Sequence, residues 1–117
     1  MNTLTAYLDD IEDRIDVQAE EELWNQWERF WRKQWSCPLF CPEVERGSEP
    51  GIEWPAVHIN DAIDDDSATV LSQLCAVSDL LAKPAGGQIL SVRSNYGVGI
   101  LPSVFGAELF MMPREQN

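Results

Sequence analysis

Basic residues are scarce in this chain: eight Lys and Arg stand against 20 Asp and Glu, giving a formal net charge of −12. Phosphate-backbone binding needs a basic footprint, and the few cations are scattered without a stripe, which argues against a nucleic-acid partner. Long apolar runs are also missing. No stretch approaches the roughly 18 apolar residues of a membrane-spanning helix. The opening Met1-Asn2-Thr3 passes into an acidic stretch without the basic region and apolar core of a secretion signal, so a cytoplasmic setting is expected. Histidine occurs once and cysteine three times, as Cys37, Cys41 and Cys75. An odd set of cysteines without a secretion signal is expected to stay reduced. Cys37, Cys41 and His58 do not form a standard zinc pattern, because no second cysteine pair follows, so no metal site is expected. Asp64-Asp65-Asp66 lacks the glycine and distal glutamate of a calcium loop and reads as a helix start. No internal repeat or low-complexity tract is found.

What is present suits one globular domain, with 44% hydrophobic residues in 117. Leu4, Leu8, Ile11 and Ile15 recur at helical spacing and predict a short amphipathic helix. A second helix is predicted from Val17 to Trp35, with Asp16 as its N-cap, acids in its first turns and Arg29, Arg32 and Lys33 late, as the helix dipole favours. Trp24, Trp27, Trp31 and Trp35 advance by three, four and four residues and so share one side of that helix. Such a stripe exceeds the apolar patch of roughly 300 to 600 Å² that a monomer usually exposes. It is expected to be covered by the rest of the protein, by a partner chain or by a ligand, with packing favoured over a ligand platform because Leu23 and Phe30 widen it. Residues 36–63 form a Pro- and Gly-rich connector with a short extended piece, Ile52 to Ile59, in which His58 is read as structural. A third helix is predicted over 64–83, ending before Pro84, with Cys75 buried on its apolar face.

The run Ser91 to Met112 carries the most chemistry. Gln88 to Arg93 is β-branched and partly alternating, bounded by Gly86-Gly87, and predicts a strand. Arg93, Asn95 and Tyr96 follow at its end, Gly97 and Gly99 free the backbone, and Pro102-Ser103 opens a short helix that Gly106 ends. Glu108 to Met112 is the candidate second strand. Polar groups just past a strand's C-terminal end are a frequent site arrangement in β/α proteins. The alternative is ordinary connective structure, with Arg93 pairing to a nearby carboxylate.

In order, an acidic helical N-terminus, a Trp-rich helix, a proline-broken connector, His58-Ile59-Asn60-Asp61-Ala62, a helix with Gln73-Leu74, and Arg93-Ser94-Asn95-Tyr96-Gly97 with Pro102-Ser103-Val104-Phe105-Gly106 resemble the uroporphyrinogen decarboxylase-like superfamily. The similarity is to the N-terminal part of its decarboxylase-related bacterial members and extends over essentially the whole chain, the last run being the distinctive one. The resemblance implies a TIM-type β/α barrel with substrate bound at the strands' C-terminal ends. Some members decarboxylate a tetrapyrrole without a cofactor; others transfer methyl groups with corrinoid proteins and a zinc-bound thiol. By resemblance, Gly97 stands nearest to the decarboxylases' catalytic Asp, which puts porphyrinogen decarboxylation in doubt. The methyltransferases' zinc ligands lie further along the family's chain, so no cofactor is expected in this segment.

A β/α barrel needs about 250 residues. The expected fold is therefore α/β: an N-terminal helical segment plus the first strands of an incomplete barrel, without catalysis of its own. Its expected partners are the remaining barrel or a second copy, met through Trp24, Trp27, Trp31 and Trp35. In the whole barrel Arg93 is expected to contact an anion or carboxylate, with Asn95 and Tyr96 donating or accepting hydrogen bonds at the mouth. The alternative is a small α+β domain whose Trp-bearing helix docks a basic partner.

Overall fold

The computed structural model describes residues 3–94, 100–108, 110 and 112–116. Its helices are α1 (Thr3–Arg14), α2 (Val17–Trp31), α3 (Ile59–Asp64), α4 (Asp66–Ala82) and α5 (Ile100–Val104). Strands β1 (Val44–Glu45) and β2 (Ala85–Gly86) pair antiparallel, Val44 opposite Gly86 and Glu45 opposite Ala85. The described chain is thus mainly helical with one small sheet, a form that a small α+β domain takes.

Among the described residues Gln88 to Arg93 joins no ladder, contrary to the predicted strand, nor do Glu108, Phe110 and Met112, and the Met112 carbonyl accepts from Asn60 Nδ2 at 3.1 Å instead. The physical reason lies in what these residues meet. Gln88 gives its carbonyl to Arg46, Leu90 packs on the helical core, and no neighbouring strand among the described residues offers a ladder to join.

Asp16 caps α2 by accepting from the backbone N–H groups of Gln18 and Ala19 at 3.0 and 3.2 Å. The helix stops four residues short of the predicted Trp35. Lys33 turns left-handed at φ 56°, and the Gln34 N–H donates to the Arg29 carbonyl at 2.8 Å. The chain then doubles back so that Phe40 stacks on Phe30, with ring centroids 4.2 Å apart. The predicted helix over 64–83 is divided as well. Asp65 is extended, at φ −133° and ψ 117°, closing α3 and capping α4 through Ser67 N–H at 2.9 Å.

Two small cores result. Ile11 of α1 packs with Leu74, Val77 and Leu81 of α4, and Tyr7, Ile15, Trp54 and Leu90 close around them. Leu8, predicted on the inner face, is half-exposed; Tyr7 faces inward instead, its ring 4.8 Å from that of Trp54. The second core joins α2 to the hairpin through Leu23, which is completely buried, and Val44. Arg46 clamps that joint, donating to both carboxylate oxygens of Glu20 at 2.8 and 2.7 Å and to the Gln88 carbonyl at 2.8 Å. This pair is largely buried and bidentate, the geometry in which an arginine–carboxylate contact is strong.

A buried polar cluster fastens the first core. Arg14 donates to Asp10 at 3.0 Å, to the Ser78 hydroxyl at 2.6 Å and carbonyl at 2.9 Å, and twice to the Ser48 carbonyl. Asp10 also accepts from Gly51 N–H at 2.7 Å and Trp54 Nε1 at 3.0 Å. One guanidinium therefore ties α1 to α4 and to the loop beyond β1. Burial pushes the Asp10 carboxyl upward, but hydrogen bonds from Trp54, Gly51 and Arg14, with the charge of Arg14, outweigh it and hold the group below its ordinary value.

A carboxylate depressed on folding stabilises the protein above its unfolded value, near roughly pH 4, and that contribution fades as pH falls further through the folded value. Asp10→Asn leaves Arg14 buried without a counter-charge and is expected to cost about 3 kcal/mol in a urea melt at neutral pH. The variant's stability should also depend less on pH below about 4 than that of the parent chain.

Candidate functional site

Arg93 lies at the edge of a shallow groove of about 280 Å³ formed by Asp66, Thr69, Val70 and Gln73 of α4 with Val92 and Ser94. Its side chain is exposed. The other predicted mouth residues, Asn95, Tyr96, Gly97 and Gly99, lie outside the described residues. Pro102 and Ser103 fall inside α5, and Gly106, at φ 86°, closes that helix as its sequence position predicts.

The tryptophan stripe divides in two. Trp24, Trp27 and Trp31 line a groove of about 370 Å³ along α2, with Glu28 on its wall and Ile89 opposite. Trp27 is half-buried because its Nε1 donates to the Gly87 carbonyl at 3.0 Å, which fixes the indole against the segment after β2. Trp24 and Trp31 remain 58% and 76% exposed. Trp35 leaves this line once the helix ends. It meets Phe40 edge-on at 4.9 Å and donates from Nε1 to the Leu39 carbonyl at 3.2 Å. Phe40, which sequence patterning left inside an irregular connector, is the ring that organises this end, since it also meets Trp27 at 4.9 Å.

The possible metal ligands are dispersed. His58 caps α3, its Nδ1 accepting from Asn60 N–H at 3.2 Å, while Cys37 and Cys41 are exposed on either side of Phe40 in the chain. Among the described residues no three His, Cys, Asp or Glu side chains converge where a metal ion could be held. Cys75, expected to be buried, is half-buried on α4 and directs its thiol to the Pro55 carbonyl at 3.4 Å. Burial, and then the charge of Asp79, push that thiol above its usual range, so it stays protonated and unreactive at neutral pH. No helix among the described residues is long and apolar enough to cross a membrane.

Fold and surface together define a mainly helical α+β protein that displays an aromatic groove on its second helix. No family model, curated protein or solved structure matches the chain.

Gly87 controls the groove's inner wall, because a Cβ there would meet the Pro42 carbonyl and lie 2.7 Å from Pro42 Cγ. Gly87→Ala must displace the segment that accepts the Trp27 hydrogen bond. The expected result is a red shift of tryptophan emission with helical circular dichroism retained, and a loss of about 1 to 2 kcal/mol in stability.

Proposed function

We propose that this chain is the N-terminal helical segment of a uroporphyrinogen decarboxylase-like β/α barrel protein. The observation that supports it is the apolar surface after α4. Val92, Val104, Phe105 and Phe110 are 57%, 74%, 83% and 86% exposed, far beyond scattered surface hydrophobes. The radius of gyration, 17.5 Å, exceeds the roughly 13 Å of a compact domain near this length, in keeping with side chains that await a larger body.

In that body residues 88–93 join a barrel sheet and Arg93 stands at its mouth. There its guanidinium holds a carboxylate or another small anion, with Asn95 and Tyr96 completing the hydrogen bonding. Binding and orientation belong to this segment; the chemical step, and any zinc or corrinoid that serves it in a methyl-transferring relative, belong to residues elsewhere. The protein works in the cytoplasm, where Cys37 and Cys41 stay reduced. A second reading, a small acidic interaction module, draws support from the exposed groove on α2.

The 117-residue chain alone is expected to bind an exposed-hydrophobe dye and to self-associate, and Phe105→Ser with Phe110→Ser should at least halve the dye signal without changing helical content. A dye-silent, monodisperse and cooperatively melting monomer contradicts the barrel reading and favours the module. In the whole encoded protein, Arg93→Ala should weaken anion binding about tenfold or more by calorimetry. Unchanged affinity would remove Arg93 from the site.

A further inference from the structure

His58 is the single histidine of the chain, and it opens α3. Its ring Nδ1 accepts from the Asn60 N–H at 3.2 Å, and its carbonyl accepts from the Asp61 and Ala62 N–H groups, each at 3.1 Å. Only a neutral imidazole with its proton on Nε2 offers an acceptor at Nδ1. The helix it opens holds the far end of the described chain. Asn60 Nδ2 donates to the Met112 carbonyl at 3.1 Å, and Arg114 donates to both carboxylate oxygens of Asp61 at 2.8 Å, which fastens the turn Arg114–Gln116 to α3. The residues that grip the terminal segment, Asn60 and Asp61, thus stand in the turn that His58 caps.

We propose that His58 is a pH-sensitive catch that holds the segment Met112–Gln116 on α3 and releases it on acidification. Protonation puts a hydrogen on Nδ1, so that two donors face each other where the Asn60 N–H was satisfied. The bond is present while the imidazole is neutral and is lost as pH falls. A six-residue helix has little else to hold it: no side chain of α3 is fully buried, and Ile59 and Ile63 are 54% and 44% exposed. Loss of the cap therefore loosens the grip of Asn60 and Asp61 on Met112 and Arg114. Among the described residues His58 joins no ion pair. The charged groups on the elements around it are Asp61 and Asp64 of α3, Asp65 and Asp66 at the head of α4 with Asp79 further along, and Arg114 and Glu115 of the terminal turn; Asp61 is already engaged by Arg114. Carboxylates ordinarily titrate near roughly pH 4, below the window of about pH 5 to 8 in which histidine does. The catch involves only α3 and the terminal segment, and the inference stands whether or not a barrel covers the apolar run before Met112.

The test is limited trypsin cleavage of the 117-residue chain after Arg114, followed by mass spectrometry at about pH 7.5 and about pH 5.5. The Arg114 guanidinium must leave Asp61 to enter the protease, so the rate reports release. Each rate is divided by that of His58→Asn at the same pH, which removes the protease's own pH dependence; asparagine is a good N-cap that does not titrate. The ratio should be near one at the higher pH and rise about threefold or more at the lower, the scale of a lost cap. His58→Ala, which removes the acceptor at every pH, should show the released rate at both, and Asp61→Asn should be cleaved fast at both. A ratio that stays the same at the two pH values would overturn the proposal, and so would His58→Ala cleaved at the rate of His58→Asn.

Discussion

The buried guanidinium of Arg14 is the interaction on which the helical body depends. Among the described residues only six apolar side chains are buried, which is little for helices that must hold α1, α4 and a long connector together. Arg14 adds what apolar packing does not. Through Asp10, Ser48 and Ser78 it fixes the crossing of α1 on α4 and pins the loop that leads to Trp54. Every donor it brings inside has an acceptor, and Asp10 is fully engaged in turn, so the cluster avoids the penalty of an unpaired buried charge. Arg46 repeats the device at the second joint, where α2 meets the hairpin.

With its body secured in this way, α2 keeps its outer face free. Leu23 and Trp27 attach it from within, and Val17, Trp24 and Trp31 are left facing solvent. The aromatic reserve of the chain is therefore spent on surface as much as on core. Phe40 explains the division: by returning to Phe30 it ends the aromatic line at Trp31 and draws Trp35 into a separate cluster. Apolar exposure after α4 is a different matter, since it falls on a run whose strand-like pattern has no ladder within the described residues.

Local signals made much of this legible. Asp16 announces the start of α2, and Gly106 marks the end of α5; of the broad apolar face that Val70, Leu71, Leu74, Val77, Leu80 and Leu81 announce on α4, Leu74, Val77 and Leu81 are buried while Val70 is 41% exposed. What local pattern conceals is long-range. Asp10 and Arg14 stand four apart on an acidic helix, and nothing near them in the sequence names Ser48, Ser78 or Trp54 as partners. The turn at Lys33 is followed by a return of the chain that seats Phe40, seven residues later and past a proline, on Phe30. The strand expected at Gln88 to Arg93 has no ladder among the described residues for a related reason: periodicity signals a strand's faces, while a neighbour supplies its ladder. Of the candidate site, Arg93 is placed on a groove beside α4, whereas Asn95 and Tyr96 fall outside the described residues.

By this bonding Arg14 joins α1 and α4 into one cooperative unit that leaves Val92 and Arg93 outside it. Native-state amide hydrogen exchange tests this most directly. Amides in Ile11–Arg14 and Leu74–Leu81 should open with one shared free energy that falls together in an Arg14→Met chain, while those of Val92 and Arg93 exchange at least about a hundredfold faster. Independent opening of α1 and α4, or protection at Val92 and Arg93 equal to that of the helices, would contradict it.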